Sequence, residues 1–550
     1  MRCVNRPFFA FPPWGAFLSA VFVFLVFMTA RNNQFVALDD YAYIVNNQHI
    51  EKLNWNTVSW AFTSFFEGNW HPLTMLSLAL DRYMWGLNPL GYHVTNIVIH
   101  SCTVFSSCFL FERVLRIARS IQESPVTATC PVAACSGRLS ERGIIVGSLA
   151  GVLFFGLHPL RVESVVWASE RKDVLCIFFM TTSLWMYLRF AVRKMSEDVT
   201  AFWNYREYWY ALLLAALAQM SKPTAVSLPF ILCIADWYPL MRTVDRSTFY
   251  RNLPEKILFY LLSAVGVVLT LSAQQVAMQY APDVSLLSRL LVACKALLFY
   301  IGATIWPSGL TAFYMHPGNV ASSAPAEYFL YFVVVLSITV LVVRAGQKFR
   351  MLPAFWTYYV ITLAPMLGLI QVGGQWAADR YSYLPSLGIA VIWGGWVALL
   401  SDRIRDGGKN MVARFCLVLA ACQLIGCTLQ TIRQISIWRT TETLASRIIE
   451  RSPHLSGAPY VARAIYRNET GRYEEALADI DEAMKIALRR GLTLAYPDIA
   501  YEQAVILKNL GRFTEALTVI EWGIQTSAGP PPSDAIKLRD ELVQLAAGRR

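Results

Sequence analysis

Long apolar runs separated by short polar islands organise the chain from its start to about residue 435. Apolar runs lie at Trp14–Ala30, Tyr92–Phe111, Ile144–Leu157, Val174–Phe190, Trp209–Met220 and Ala225–Tyr238. Others follow at Ile257–Ala273, Phe329–Val343, Phe355–Leu369, Leu387–Leu400 and Phe415–Thr431. A helix needs roughly 20 apolar residues to cross a bilayer, fewer where the membrane thins, so these runs predict about eleven crossings. Leu286–Trp306 is also apolar, but counting it would place Arg344, Lys348 and Arg350 on the outer side. It is therefore assigned as an interfacial or re-entrant helix.

Between the runs sit Leu38-Asp39-Asp40-Tyr41, His158 through Glu163, Ser169 through Asp173, Ser221-Lys222-Pro223 and Asp379-Arg380-Tyr381. Ionisable residues beside a bilayer are costly to hold in place, which makes them functional candidates by default. Arg2 and Arg6 before the first span place the N-terminus in the cytoplasm. A cleaved signal peptide is the alternative, although Arg31-Asn32-Asn33 offers no small-residue cleavage site. Alternation then puts Arg113, Arg116, Arg119, Arg189, Arg193, Lys194, Arg242, Arg246, Arg251, Lys256, Arg344, Lys348, Arg350, Arg403, Arg405 and Lys409 inside. That is a positive-inside bias, and the cations of the polar islands run against it.

Composition agrees with a membrane class. The chain is 55% hydrophobic and 15% charged, with mean hydropathy +0.41, whereas soluble domains carry about 25% charged residues. The net charge of +11 is spread through short loops rather than gathered on one face, which argues against a nucleic-acid partner. The 11 cysteines show no ligand or redox spacing and, apart from Cys130 and Cys135, lie in or near apolar segments. They read as small core residues.

From about Ser436 to Arg550 the apolar runs vanish and charge becomes dense and balanced, defining a second domain, 436–550, after a membrane domain, 1–435. Within it Ala464 through Leu477 recurs as Ala504 through Leu517, with Gly471 matching Gly511, Tyr473 matching Phe513 and Ala476 matching Ala516. A turn glycine, an aromatic two residues later and an alanine where helices press together is the tetratricopeptide (TPR) pattern, here with an insertion around Arg489–Pro497. Two repeats plus a capping helix over Ser533–Leu545 make a short helical appendage, placed outside the cytoplasm by helix parity.

The ordered set Gly91 through His100, His158 through Asp173, Ser221 through Phe230 and Asp379 through Pro385, with Asp39-Asp40 and the C-terminal repeats, resembles one known family. That family is the transmembrane and tetratricopeptide-repeat-containing O-mannosyltransferases, within the GT-C glycosyltransferases that use polyprenyl-phosphate sugars. The resemblance implies an all-α polytopic GT-C-like domain followed by a TPR domain. It also implies transfer of a sugar, mannose in that family, from a polyprenyl-phosphate donor to Ser or Thr hydroxyls of extracytoplasmic protein, with inversion. The departure is at the C-terminus, where the family usually carries many repeats.

Such chemistry needs a carboxylate to take the acceptor proton and cations to neutralise the leaving phosphate. Asp39 or Asp40 is the expected base, a role the resemblance gives to an acidic residue in the first loop; Arg171, Lys172, Lys222 and Arg380 are the expected phosphate ligands. His93, His158, Arg161, Glu163, Glu170, Asp173, Asp379 and Tyr381 complete the expected site. His71, His93, His100 and His158 all fall at span ends or outer loops, and His93, Asn96 and His100 share one helical face. Histidines on apolar helices are more often interhelical hydrogen-bonding groups, and a metal site from residues such as His158 and Glu163 is left open. Two other readings stay open: a transferase acting on lipid or envelope glycan, and a non-catalytic membrane-anchored scaffold. The site would face the periplasm in a bacterium, or the endoplasmic reticulum lumen in a eukaryote.

Overall fold

The computed structural model describes residues 12–122, 139–197, 201–279, 284–318, 320–323, 325–346, 348–369, 374–406, 410–454, 456–492, 496–527 and 530–547. Arg2, Arg6, Cys130, Cys135, Lys409 and part of the expected insertion lie outside them. The chain divides into one unit of Met1–Asn33, Asp40–Leu310 and His316–Ile435, and a second of Gln34–Asp39, Thr311–Met315 and Ser436–Arg550.

The first unit is helical. Its helices are α1 (Pro13–Phe27), α2 (Trp55–Thr63), α3 (Pro72–Trp85), α4 (Pro89–Gln122), α5 (Glu141–Gly156), α6 (Val162–Val166), α7 (Arg171–Ser196), α8 (Arg206–Gln219) and α9 (Leu228–Trp237). They continue with α10 (Arg246–Asn252), α11 (Ile257–Gln279), α12 (Leu286–Ile305), α13 (Val320–Ser323), α14 (Pro325–Ala345), α15 (Met351–Leu363), α16 (Pro385–Asp406) and α17 (Met411–Ile437). Among the described residues 8 helices are long and apolar enough to cross a membrane, or 9 if a bent pair counts as one span, so this is a multi-pass membrane protein with fewer full-length crossings than the apolar runs predict.

The difference has three sources. The runs at Trp209–Met220 and Phe355–Leu369 become helices of 14 and 13 residues, and Ala225–Tyr238 becomes a short helix over Pro223–Trp237. At 1.5 Å per residue such helices span about 20 Å, short of the roughly 30 Å hydrocarbon core. Leu286–Trp306, expected at the interface, instead forms the unbroken 20-residue α12, one of the spanning-length helices. The bent segment is the one after α5, where Leu157-His158-Pro159 interrupts the helix and turns the chain by 54° into α6.

That interruption is stabilised by pairing its polar atoms inside the protein, the condition under which irregular backbone survives at membrane depth. His158 Nε2 donates to the Thr304 carbonyl of α12 at 2.9 Å, and its Nδ1 accepts from Leu160 N–H at 3.3 Å. The α5 axis itself is fixed by close approach to α16. A methyl group on Gly151 would lie 2.7 Å from the Ala390 carbonyl oxygen, and one on Gly147 would lie 2.7 Å from the Ala398 methyl. Small residues here replace the hydrophobic driving force that helices lack in lipid. Asp402 of α16 accepts from Ser140 N–H at 2.7 Å and ties the N-terminus of α5 to the same partner.

Arg242, Lys194 and Lys256, read from the sequence as loop cations, are drawn into a network with acidic residues. Arg242 bonds both Glu255 carboxylate oxygens at 2.8 Å and Asp236 at 3.0 Å; Lys194 reaches Glu255 at 2.6 Å, and Lys256 pairs with Asp236. Of the described cysteines, Cys108, Cys176 and Cys427 are buried as expected, while Cys102 and Cys422 are exposed on helices of spanning length.

The second unit carries α18 (Thr441–Arg451), α19 (Ala458–Glu469), α20 (Tyr473–Arg490), α21 (Tyr496–Asn509), α22 (Phe513–Gln525) and α23 (Ser533–Ala547). The two internally similar stretches coincide with the pairs α19–α20 and α21–α22. Gly471 and Gly511 adopt φ of 79° and 72° in their turns, a region that strains other residues. Ala464, Ala476, Ala504 and Ala516 are fully buried between the paired helices. Arg463 holds Asp479 in a two-pronged pair at 2.9 and 2.7 Å.

The α5–α16 contact yields a direct test. Gly151→Val forces a side chain against backbone and is expected to lower stability by about 1–3 kcal/mol. Thermal unfolding of the detergent-solubilised protein checks it, and an unchanged midpoint would mean the two helices are not packed this closely.

Candidate functional site

In the first unit four of the polar islands converge. Glu163 (α6), Glu170 at the start of α7, Lys172 and Asp173 in its first turn, Lys222 before α9 and Arg380 before α16 form one ionic cluster, in which the first four are buried and Lys222 and Arg380 half-buried. Arg380 donates its backbone N–H to Glu163 Oε2 at 2.9 Å and its guanidinium to Oε1, and its Nε lies 3.4 Å from Glu170. Lys172 and Lys222 approach Glu170 at 3.3 and 3.4 Å, and Lys222 also pairs with Asp173, which accepts from Ser164 Oγ at 3.0 Å. Each carboxylate is thus matched by a cation, as burial of charge requires.

Aromatic rings frame the cations. Lys172 Nζ sits 4.7 Å over the Tyr43 ring, and the Arg380 guanidinium lies 5.3 Å from Trp167 and 5.0 Å from Tyr381. Tyr381 accepts at its hydroxyl from Gln375 at 2.6 Å. Burial would lower the Lys222 ammonium, but Asp173 and Glu170 outweigh it and raise it above its ordinary value. The Arg380 guanidinium is likewise held well above its usual range, because Glu163 overcomes the burial penalty. Both stay charged at any physiological pH.

Arg161 is different. Its side chain is fully buried, it makes no ion pair, and one nitrogen donates to Ser382 Oγ at 2.6 Å while Nε and Nη1 lack a hydrogen-bond partner among the described residues. Its guanidinium stacks over Tyr383 at 4.8 Å and Phe155 at 5.5 Å. A buried guanidinium with unsatisfied N–H groups is a standing capacity for an anion.

Asp40 is buried, and its Oδ1 accepts from Ser169 N–H at 2.8 Å, which attaches the first loop to the segment carrying Glu170 and Lys172. Asp39 is half-buried. Asp379 is buried and its carbonyl accepts from Ser382 Oγ at 2.7 Å.

Arg171 stands apart from the other expected phosphate ligands. Its donors go to Asp81 carboxylate oxygen at 2.5 Å, Ser77 Oγ at 2.7 Å, the Tyr92 carbonyl at 3.1 Å and Asn96 Oδ1. With its hydrogen bonds committed to α3 and α4, it fixes the start of α7 and does not face the ionic cluster as Lys172 does. Asp81 was not among the sequence candidates; the only hint was the Asp81-Arg82 pair in a largely apolar segment before Tyr92.

The histidines of α4 act between helices. His93 Nε2 donates to the Asn33 carbonyl at 3.2 Å; His100 Nε2 donates to the Gly156 carbonyl at 3.0 Å, while its Nδ1 accepts from the Tyr383 hydroxyl; Asn96 donates to the Trp167 carbonyl at 3.1 Å. Both ring nitrogens of His158 are occupied at the α5–α6 bend. Among the described residues no group of three or more His, Cys, Asp or Glu is gathered for a metal ion.

No protein-family model matches the chain. Curated relatives do. The chain is 24% identical over 234 residues to Protein O-mannosyl-transferase TMTC4 of Homo sapiens, covering 39% of this chain and 28% of that protein. It is 25% identical over 228 residues to the Mus musculus TMTC4, with the same coverage. It is 27% identical over 167 residues to Protein O-mannosyl-transferase Tmtc1 of Drosophila melanogaster, covering 30% of this chain and 15% of that protein. The chain thus matches less than a third of each relative's length. Two solved structures of an oligosaccharyltransferase from Archaeoglobus fulgidus also align. One is tethered with an acceptor peptide, at 11% identity and TM-score 0.41 over 77% of this chain and 55% of that one. The other, AglB in complex with an inhibitory peptide and a dolichol-phosphate, aligns at 12% identity and TM-score 0.42 over 76% of this chain and 56% of that one. In sequence, then, the chain is similar to protein O-mannosyl-transferases.

The Arg171–Asp81 pair gives a second test. Arg171→Ala leaves a buried carboxylate without its cation and is expected to cost about 3–5 kcal/mol, whereas Arg171→Met combined with Asp81→Leu restores most of it. Denaturation of the solubilised variants measures both, and a single variant as stable as the parent would refute the structural role.

Proposed function

We propose that this chain is a membrane glycosyltransferase with a GT-C-like membrane domain that moves a sugar, mannose by sequence similarity, from a polyprenyl-phosphate donor to Ser or Thr hydroxyls of extracytoplasmic protein. The observation that carries the reading is the convergence of buried Lys172, half-buried Lys222 and Arg380, and the buried, partly unsatisfied Arg161 in one polar site of an apolar helical unit. A donor whose tail lies in lipid and whose phosphate sits at a polar site needs that combination. Similarity to the O-mannosyl-transferases supports the same chemistry.

In this mechanism the acceptor oxygen attacks the anomeric carbon as the bond from that carbon to the phosphate oxygen breaks. The acceptor proton passes to a first-loop carboxylate, and the bonding electrons remain on the leaving phosphate. Asp40 is assigned as the base, with one oxygen fixed by Ser169 N–H and the adjacent Asp39 as its alternative. Lys172, Lys222 and Arg380 stabilise the charge that grows on the phosphate, and Arg161 supplies free N–H groups. Glu163, Glu170 and Asp173 hold those cations in place, and Asp379 and Tyr381 flank Arg380. Arg171 positions α7, and His93 and His158 brace the surrounding helices. The α19–α20 and α21–α22 pairs serve as tetratricopeptide-like repeats for an extended acceptor. The reacting face is extracytoplasmic: periplasmic in a bacterium, lumenal in a eukaryote.

Transfer from radiolabelled polyprenyl-phosphate mannose to an extract of extracytoplasmic protein and lipid, in proteoliposomes, tests this. Asp40→Asn is expected to cut the rate by about 10²–10⁴ and Lys222→Met by about 10²–10³. Label in lipid instead of protein would reassign the acceptor. Retained transfer in Asp40→Asn would remove it as the base, and no transfer from the parent would overturn the donor.

A further inference from the structure

We propose that His71 is a phosphate-binding residue of this site, completing with Lys172 and Lys222 the cradle for the phosphate of the lipid-linked donor. This rests on the donor class proposed above and adds to it a ligand outside the polar islands.

His71 occupies the position before Pro72 at the start of α3, and only 2% of its surface is exposed. Neither ring nitrogen has a hydrogen-bond partner among the described residues. Every other histidine of the membrane unit singled out in the sequence uses at least one nitrogen on a carbonyl: His93 on Asn33, His100 on Gly156 and His158 on Thr304. A buried polar ring with both nitrogens idle among the described residues is therefore the exception here, and a bound ligand is the partner that satisfies it.

Its place in the site is fixed by backbone. Leu73 N–H donates to the Met220 carbonyl at 3.0 Å, and Thr74 Oγ1 donates to the Ser221 carbonyl at 2.9 Å, so the first turn of α3 is tied to the residues just before Lys222. The imidazole stacks on Tyr43, with centroids 5.5 Å apart and planes at 15°, and the same Tyr43 ring carries Lys172 Nζ at 4.7 Å. One aromatic platform thus holds both the imidazole and an ammonium, while a second ammonium is held by the hydrogen-bonded turn.

The charge balance around the ring suits an anion. Burial, and after it Lys172, lower the His71 pKa from its ordinary value to about 3; Glu170 opposes this and Lys222 adds to it. The ring is neutral in the absence of a ligand, with one N–H to donate and one nitrogen to accept. A phosphate oxygen takes the N–H while two ammonium groups neutralise its charge. The second nitrogen then remains available to a hydroxyl of the attached sugar.

The full-length protein in lipid nanodiscs, titrated with farnesyl phosphate and with farnesol, tests the assignment. His71→Phe keeps the ring on Tyr43 and removes only the nitrogens. It is expected to weaken farnesyl phosphate binding about tenfold, the loss of one charge-assisted hydrogen bond, and to leave farnesol binding and the thermal midpoint unchanged. His71→Gln, which retains a donor, is expected to recover part of the loss. Equal farnesyl phosphate affinity in the parent and His71→Phe would overturn the His71 assignment alone. An equal loss for farnesol would overturn it too, by assigning the effect to packing. A parent protein that binds farnesyl phosphate no better than farnesol would overturn both this inference and the donor class.

Discussion

Three carboxylates buried within a few residues of one another, Glu163, Glu170 and Asp173, constrain the rest of the membrane unit. None of them tolerates burial alone. Removing the partner of a buried charge costs about 3–5 kcal/mol, a large part of a typical folding free energy. The cations that satisfy them come from separate parts of the chain: Lys172 from α7 itself, Lys222 from the turn before α9 and Arg380 from the turn before α16. The ionic cluster therefore acts as a joint between helices that lipid would not otherwise drive together. The bend after α5 lies just before Glu163, whose carboxylate accepts from the Arg380 backbone N–H.

A joint made of shared cations has a second property. Lys222 is divided between Glu170 and Asp173, and Arg380 between Glu163 and Glu170. Cations held by more than one carboxylate are fixed in position before any ligand arrives, and pre-organised charge stabilises a developing charge with little reorganisation. The same arrangement limits how much attraction is left for an incoming anion, since each carboxylate competes for the ammonium or guanidinium nearest it. Among the described residues Arg161 makes no ion pair and the ring nitrogens of His71 meet no hydrogen-bond partner, so in the proposed site these two supply what the shared cations withhold. The site combines a rigid, neutralised frame with two unsaturated donors.

Much of this was legible in the sequence, and the parts that were not have specific physical reasons. The polar islands stood out because charge beside apolar runs is rare, and the convergence of Lys172, Lys222 and Arg380 follows from that signal. The paired helices of the second unit were legible from Gly471 and Gly511 with their following aromatics and alanines. The span count was not. Hydropathy registers apolar character but not helix length, so Trp209–Met220 and Phe355–Leu369 read as crossings, whereas the helices there have 14 and 13 residues. Leu286–Ile305 was displaced by an argument from loop charge, which assumed every other run to cross. The role of Arg171 was hidden because Asp81 is 90 residues away in sequence, a separation no local pattern reveals.

His71 was harder still. In the sequence it is a histidine before a proline in a loop of mixed character, similar to His158 before Pro159. The structure separates the two by what their nitrogens meet. His158 closes a helix break with both of its nitrogens, whereas His71 leaves both idle beside two ammonium groups. Identical dipeptides thus serve opposite ends, one joining the scaffold and one facing the cluster, and only the accounting of hydrogen-bond partners distinguishes them. That accounting bears on chemistry as well as on fold. A site that neutralises its own charges but leaves neutral and cationic donors unfilled favours a ligand that brings both negative charge and acceptor oxygens. The donor proposed above, a polyprenyl phosphate joined to a sugar, brings both.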